Sequence, residues 1–225
     1  RGLPLATLES RTPLAALDVL GFSLLYELND TNILTILDLG RIPRRSGARS
    51  ERDPLVIAGG PAAFNPEPLA DVFDLFLLGD GEDAVLEILD LVAARKRRGG
   101  RRDDLLGELA AVPGVYVPSL YDPAPPAGRG LVFVRPRGGA PPVVRKRVLR
   151  SFARSPFPAD IVVPSLQAVF DRVAVEVARG CPHKCRFCQA ASLYAPYRVK
   201  DPDFVAAKVF ESCRLTGCED AWVFF

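Results

Sequence analysis

No apolar run in this chain approaches the ~20 residues needed to cross a bilayer, and no charged start followed by an apolar core and a small-residue cleavage site is visible. A membrane partner is therefore not expected, and the cytoplasm is the expected location. Charge of one sign is also missing. The net charge is +2, from 29 basic and 27 acidic side chains, so no global field recommends nucleic acid or a membrane surface as a partner, and any such role would have to be local. Cysteines number only five, an odd count, clustered rather than spread through loops, which fits a metal site in a reducing compartment better than a disulfide framework. Histidine occurs once, as His183. The chain does not lack apolar material: 48% of its 225 residues are hydrophobic, enough to bury a substantial core in more than one domain. It begins at Arg1 rather than Met, and residues 221 to 225 read as a strand without the element that should cover it, so a piece of a longer protein is expected.

Along the first 93 residues, apolar runs alternate with amphipathic stretches. Residues 19 to 25, 54 to 61 and 73 to 78 read as buried strands. A helix is expected over residues 28 to 39, stopped by Gly40 and Pro43. The clearest helix follows Gly81, with Val85, Ile88, Leu89 and Val92 on one stripe, Glu82 and Asp83 at its start and Arg95 to Arg98 at its end, as the helix dipole favours. This alternation predicts an α/β fold, a doubly wound parallel sheet covered on both faces. Ligands of such sheets sit beyond the carboxyl ends of the strands, here Ser23, Gly59-Gly60-Pro61 and Gly79-Asp80-Gly81-Glu82. Glycine there lets a backbone approach a ligand, or simply makes a tight strand-to-helix turn.

Residues 94 to 168 change character, since 11 of the 21 prolines lie between Pro113 and Pro164. A connecting segment with a small β ribbon is expected, built from residues 114 to 117, 131 to 135 and 143 to 149. The basic run from Arg95 to Arg102 reads as a solvated helix end and loop, with phosphate contact as the alternative. From residue 169 a new unit begins. Val173, Val175 and Val177 alternate with Ala174, Glu176 and Ala178, as in a strand. A helix is expected over residues 202 to 215, with Ala206, Val209, Phe210 and Cys213 on one stripe, followed by a strand from Ala221. This is one βα unit and the opening of another.

Between strand and helix, Cys181, Cys185 and Cys188 fall within eight residues, with His183 among them. Thiolates at this spacing select zinc or an iron-sulfur cluster. Zinc would need a fourth ligand, from His183, Cys213 or Cys218; His183 would be strained in the same loop, Cys213 is explained as core, and Cys218 is undecided. A cluster held by three cysteines leaves one iron open to a small molecule.

The motif Gly180-Cys181-x-x-x-Cys185-x-x-Cys188, with Phe187 before the third cysteine and a strand directly upstream, resembles the signature of radical S-adenosylmethionine enzymes. The resemblance implies a 4Fe-4S cluster on Cys181, Cys185 and Cys188, S-adenosylmethionine on the open iron, and reductive cleavage to a deoxyadenosyl radical, with an electron donor such as flavodoxin or ferredoxin. Phe187 would shield the cluster or pack near the adenine, unless it is core. Arg198 and Lys200 would contact the cofactor or face solvent. Glu176 would face the barrel interior. The segments 19 to 28, 56 to 68 and 78 to 83 resemble the cobalamin-binding-like N-terminal domain of a bacterial radical S-adenosylmethionine family. By that analogy Ser23, Gly59, Gly60, Gly79 and Gly81 would surround the nucleotide tail, and methyl transfer would be a reaction class. The Asp-x-His-x-x-Gly motif of one cobalamin class is absent, and the superfamily's Gly-Gly-Glu-like element would fall past Phe225, so the isolated piece is expected to be inactive.

The expected divisions are 1–93, a cobalamin-binding-like domain; 94–168, the connector; and 169–225, the start of a partial (β/α) barrel. Two other functions stand beside this reading: the same enzyme with an upstream domain that binds substrate instead of cobalamin, and a zinc-stapled nucleic-acid-binding module using residues 95 to 102.

Overall fold

The computed structural model describes residues 2–124, 133–163, 165–166, 172–183 and 185–224. Of the expectations above, those that fall on Leu131, Pro164, the 168/169 boundary, Lys184 and Phe225 lie outside these residues. The chain divides into two compact units, Arg1–Val148 and Leu149–Phe225.

The first unit is built on β1 (Val19–Ser23), β2 (Leu55–Gly59), β3 (Leu75–Leu77) and β4 (Val115–Tyr116), hydrogen-bonded in that order. β1, β2 and β3 are parallel, with Gly21 opposite Ile57 and Ile57 opposite Leu75. The expected all-parallel sheet is instead mixed, because β4 runs antiparallel to β3, with Phe76 opposite Tyr116. The order shows no reversal among the described strands, so the switch point that gathers ligands in doubly wound sheets is not found there.

Both faces of the sheet are covered. Successive side chains of a strand point to opposite faces, and Val56, Ala58, Phe76 and Tyr116 meet Ile33 and Leu37 of α1 (Asp30–Leu39) on one side. There Phe73 and Phe76 stack edge to face at 5.1 Å. On the other side Leu55, Leu75, Leu77 and Val115 meet α2 (Glu82–Arg98) and α3 (Arg102–Leu109). The buried stripe of α2 is turned from the expected one. Ala84 and Ile88 are buried, whereas Val85 and Leu89 are 37% and 42% exposed. Burying a side chain such as Ile88 contributes about 1.5–3 kcal/mol.

The run read as helix end and loop ends α2 and begins α3, whose Leu105, Leu106 and Leu109 are buried. Its charges pair within the unit: Arg95 with Glu51, Lys96 with Asp18 at 2.7 Å, Arg98 with Glu108, Arg102 with Asp74 at 2.8 Å. A ribbon forms from β5 (Tyr121–Ala124), which lies outside the expected strands, against β6 (Phe133–Pro136), while the stretch expected at 114 to 117 pairs with β3 instead. Residues 143 to 149 are not a strand; Arg147 alone bridges Gly79.

The second unit holds β7 (Val173–Glu176), β8 (Ala178–Arg179), α4 (Ala190–Leu193), β9 (Arg198–Val199), α5 (Pro202–Thr216) and β10 (Ala221–Phe224). β7 and β10 are parallel, joined by α5 into a βαβ unit. The Asp201 carboxylate caps α5 by accepting from Phe204 N at 3.0 Å, and Gly217 ends it in the left-handed region at φ 75°. The alternation in β7 holds for buried Val173 and Val175, then breaks: Val177 is half-buried and Ala178 buried. On α5 the stripe is also displaced. Ser212 is buried while Phe210 is 76% exposed, and Cys213 is half-buried. The described residues form an α/β architecture consistent with a Rossmann-like or partial β/α-barrel arrangement, with no closed barrel among them. No helix among them is long and apolar enough to cross a membrane.

Candidate metal centre

The cysteine loop is closed at its base by β8 and β9, which pair antiparallel with Ala178 opposite Val199 and Arg179 opposite Arg198. Gly180 stands where the two ends of the loop meet, at φ +94°, and a Cβ there would lie 2.8 Å from the Tyr194 carbonyl oxygen and 2.9 Å from that of Pro196. Only glycine fits both the torsion and the space. Cys181 follows, and Cys185 and Cys188 lie on a turn in which Cys188 N donates to the Cys185 carbonyl at 3.1 Å.

All five cysteines are thiols. Cys181 is half-buried, Cys185 and Cys188 are exposed, and His183 is exposed beside them. Phe187 is 92% exposed, so it is not a core residue. Among the described residues, no three His, Cys, Asp or Glu side chains are gathered as a set that could hold a single metal ion. The donor set fits a thiolate-ligated cluster in its chemistry: three thiols on one accessible loop, bound to nothing else as disulfides.

Beneath the loop lies an arrangement the sequence did not signal. Phe152, 3% exposed, receives cations from both strands of the loop's base: Arg179 at 4.9 Å and Arg198 at 5.2 Å from its ring, with Lys200 at 4.6 Å. Lys200 is 4% exposed and donates to the Ser155 carbonyl at 3.3 Å and to its hydroxyl. It therefore does not face solvent, as one reading expected. Arg179 also grips the Glu176 carboxylate through Nε and Nη2, each at 2.8 Å, which gives half-buried Glu176 a partner on its own strand end. Asp201 N donates to the Ala153 carbonyl at 2.9 Å, tying the same 152–155 segment to the start of α5. Nothing in Ser151-Phe152-Ala153 marks it as a base for the loop; only the neighbouring charges of Arg179, Arg198 and Lys200 hint that an aromatic face is needed nearby.

The glycine turns of the first unit have a different environment. Ser23 is exposed, and Gly59, Gly60, Gly79 and Gly81 are half-buried. A Cβ on Gly60, at φ +100°, would stand 2.7 Å from the Leu24 carbonyl oxygen, and one on Gly79 would stand 2.1 Å from that of Arg147. Both turns are closed by the chain's own backbone: Leu24 N donates to Gly59 O at 2.7 Å, Arg147 N to Leu78 O at 2.7 Å, and Asp80 N to Arg147 O at 3.0 Å. The close approach these glycines permit is to protein, so the arrangement does not fit a nucleotide tail laid against Gly60 and Gly79.

Comparison with known proteins bears on the first unit most directly. Residues 1–118 match the model of the family described as "Radical SAM proteins, N-terminal". A protein of Methanocaldococcus jannaschii described as uncharacterized is 23% identical over 199 residues, which cover 87% of this chain and 35% of that protein. The chain thus spans about a third of the length of this curated relative. With the family model covering just over half of the sequence, the chain belongs to the family of radical SAM proteins that carry this N-terminal domain.

Proposed function

We propose that the protein is a radical S-adenosylmethionine enzyme in which residues 169–225 carry the cofactor loop and the preceding residues recognise what is to be modified. The observation that carries the proposal is the loop itself: three thiols, at half-buried Cys181 and exposed Cys185 and Cys188, in one segment whose base is closed by Gly180 and by β8 and β9, in a chain of this family. When bound, a reduced 4Fe-4S cluster supplies the electron that cleaves S-adenosylmethionine to a deoxyadenosyl radical.

The residues of the chain have separable tasks. Cys181, Cys185 and Cys188 ligate the cluster. Phe187, projecting from the loop, covers it from water or packs near the adenine. Phe152, with Arg179, Arg198 and Lys200 around its ring, keeps the two strands of the base together, so that the loop is presented in one geometry. The exposure of Cys185 and Cys188 leaves the loop open to a small electron-transfer protein of the flavodoxin or ferredoxin kind.

For the first unit, the backbone that fills Gly60 and Gly79 favours a recognition role over cobalamin binding. Uptake of cobalamin in stoichiometric amount, under reducing or oxidising conditions, would reverse that preference and bring methyl transfer forward as the reaction class. The cluster assignment is tested by anaerobic reconstitution with ferrous iron and sulfide. About four of each per chain are expected, falling to near background in Cys181→Ala, Cys185→Ala and Cys188→Ala. Tight zinc with no iron uptake would overturn it and favour the zinc-stapled alternative.

A further inference from the structure

The ends of the cysteine loop, residues 180–197, meet in a short ladder that pairs Ala178 with Val199 and Arg179 with Arg198. So short a ladder is marginal by itself, and closing the loop costs chain entropy besides. The second pair adds a further cost. Arg179 and Arg198 stand directly opposite each other, and like charges so placed push two strands apart. Glu176 takes two of the hydrogen bonds of Arg179, each at 2.8 Å, which lessens the repulsion.

A contact that both arginines share comes from far back in the chain. The ring of Phe152 takes the guanidinium of Arg179 at 4.9 Å and that of Arg198 at 5.2 Å, so one negative ring face attracts both members of the repelling pair. Lys200, just past β9, fixes the ring in turn. Its ammonium lies 4.6 Å from the Phe152 ring and donates to the Ser155 carbonyl at 3.3 Å and to the Ser155 hydroxyl. Its backbone N donates to the Val177 carbonyl at 2.8 Å, which carries the pairing of the base one residue further. Phe152, Ser155 and Lys200 are 3%, 2% and 4% exposed, so water competes little for these contacts.

We propose that Phe152, tethered by Lys200, is a positioning residue that clasps the base of the loop shut before any metal arrives. The ends of the loop are then brought together by the protein and not by the cluster. The inference deepens the cluster reading and rests on it for what the loop holds; the closure itself is measured without metal.

The test is amide hydrogen exchange, read residue by residue by nuclear magnetic resonance on the metal-free whole chain. In the unaltered chain the Lys200 amide, bonded to Val177, should exchange at least about a hundredfold more slowly than in a free chain. Phe152→Leu keeps apolar bulk and removes the ring face. It should cost the Lys200 amide at least about ten times more protection than the amides of α5 lose. Adding Arg198→Thr to that variant removes one of the two opposed charges and should restore most of the loss, a rescue that packing alone would not produce.

An unprotected Lys200 amide in the unaltered metal-free chain would overturn the proposal. So would a loss spread evenly over α5 in Phe152→Leu, or the absence of rescue by Arg198→Thr. Should Phe152→Leu leave the second unit unfolded, as the fluorescence of Trp222 would report, Ser155→Ala decides. It removes one acceptor of Lys200, and a selective loss at the Lys200 amide supports the clasp while no loss contradicts it. A protected base in a chain that takes up no iron would count against the cluster reading alone, and iron uptake by a chain with an unprotected base against this inference alone.

Discussion

The backbone of Arg147 occupies the space that a side chain on Gly79 would need. A Cβ at Gly79 would stand 2.1 Å from the Arg147 carbonyl oxygen and 2.8 Å from its nitrogen, at a φ of +98°. The turn after β3 is thereby a docking point for the segment that returns past β4, with hydrogen bonds on both sides of it. Gly79→Ala is expected to cost about 3 kcal/mol through torsion and clash together. Gly107, exposed in α3 with nothing within 4 Å of a Cβ, is the internal contrast: Gly107→Ala should gain about 0.5–1 kcal/mol. Urea unfolding of the two variants checks both signs.

Phe152 is the second position where one side chain organises a unit. Its ring is buried and carries Arg179, Arg198 and Lys200 at 4.6–5.2 Å. Phe152→Ala should destabilise the second unit by about 3–5 kcal/mol, and Phe152→Leu by less. Trp222, the one tryptophan of the chain, lies in β10, so its fluorescence during denaturation reports this unit.

Acid should act on α5 through Asp201. The Phe204 backbone N–H, with Arg154 helping, holds this carboxyl below its usual value of 3.8. A carboxyl with a lower value in the folded state contributes stability that is present above about pH 3.8 and lost as pH falls through the folded value. Asp201→Asn, which still caps the helix, should remove that acid-dependent part while leaving the Trp222 signal at neutral pH unchanged.

Alkali should act on the first unit through Tyr116. Burial, and then the hydrogen bond to Glu67, push its hydroxyl above the usual 10.0. The folded state therefore favours the neutral phenol, and this contribution is present below pH 10 and lost as pH rises beyond it. Tyr116→Phe is expected to show a flatter alkaline limb in thermal denaturation followed by circular dichroism between pH 9 and 11.

The parts of the fold legible in the sequence are those set by local chemistry. β1, β2, β3, β7 and β10 announce themselves as apolar runs, and α2 by its charged ends. The direction of β4 is not legible, because Val115-Tyr116 reads the same parallel or antiparallel and only pairing with β3 decides. α3 was hidden by the arginines before it, although Asp103 and Asp104 followed by Leu105, Leu106 and Leu109 carry a helix start and a buried face. The displaced stripes of α2 and α5 follow from which neighbours cover each helix, a tertiary matter. Lys200 escaped because lysine is expected in solvent unless paired, and its partners Phe152 and Ser155 lie far back in the chain. Of the candidate centre, the gathering of the cysteines was legible from spacing and Gly180 only through the resemblance; the base beneath them was not.

The central claim is that Cys181, Cys185 and Cys188 hold a cluster with one iron open to S-adenosylmethionine. The most direct measurement is the electron paramagnetic resonance spectrum of the anaerobically reconstituted, dithionite-reduced chain, before and after addition of S-adenosylmethionine. The account predicts the signal of a reduced 4Fe-4S cluster whose g values change when S-adenosylmethionine is added, and no such signal in Cys185→Ala. A reconstituted cluster whose spectrum is indifferent to S-adenosylmethionine, or one that persists unchanged in Cys185→Ala, would contradict it.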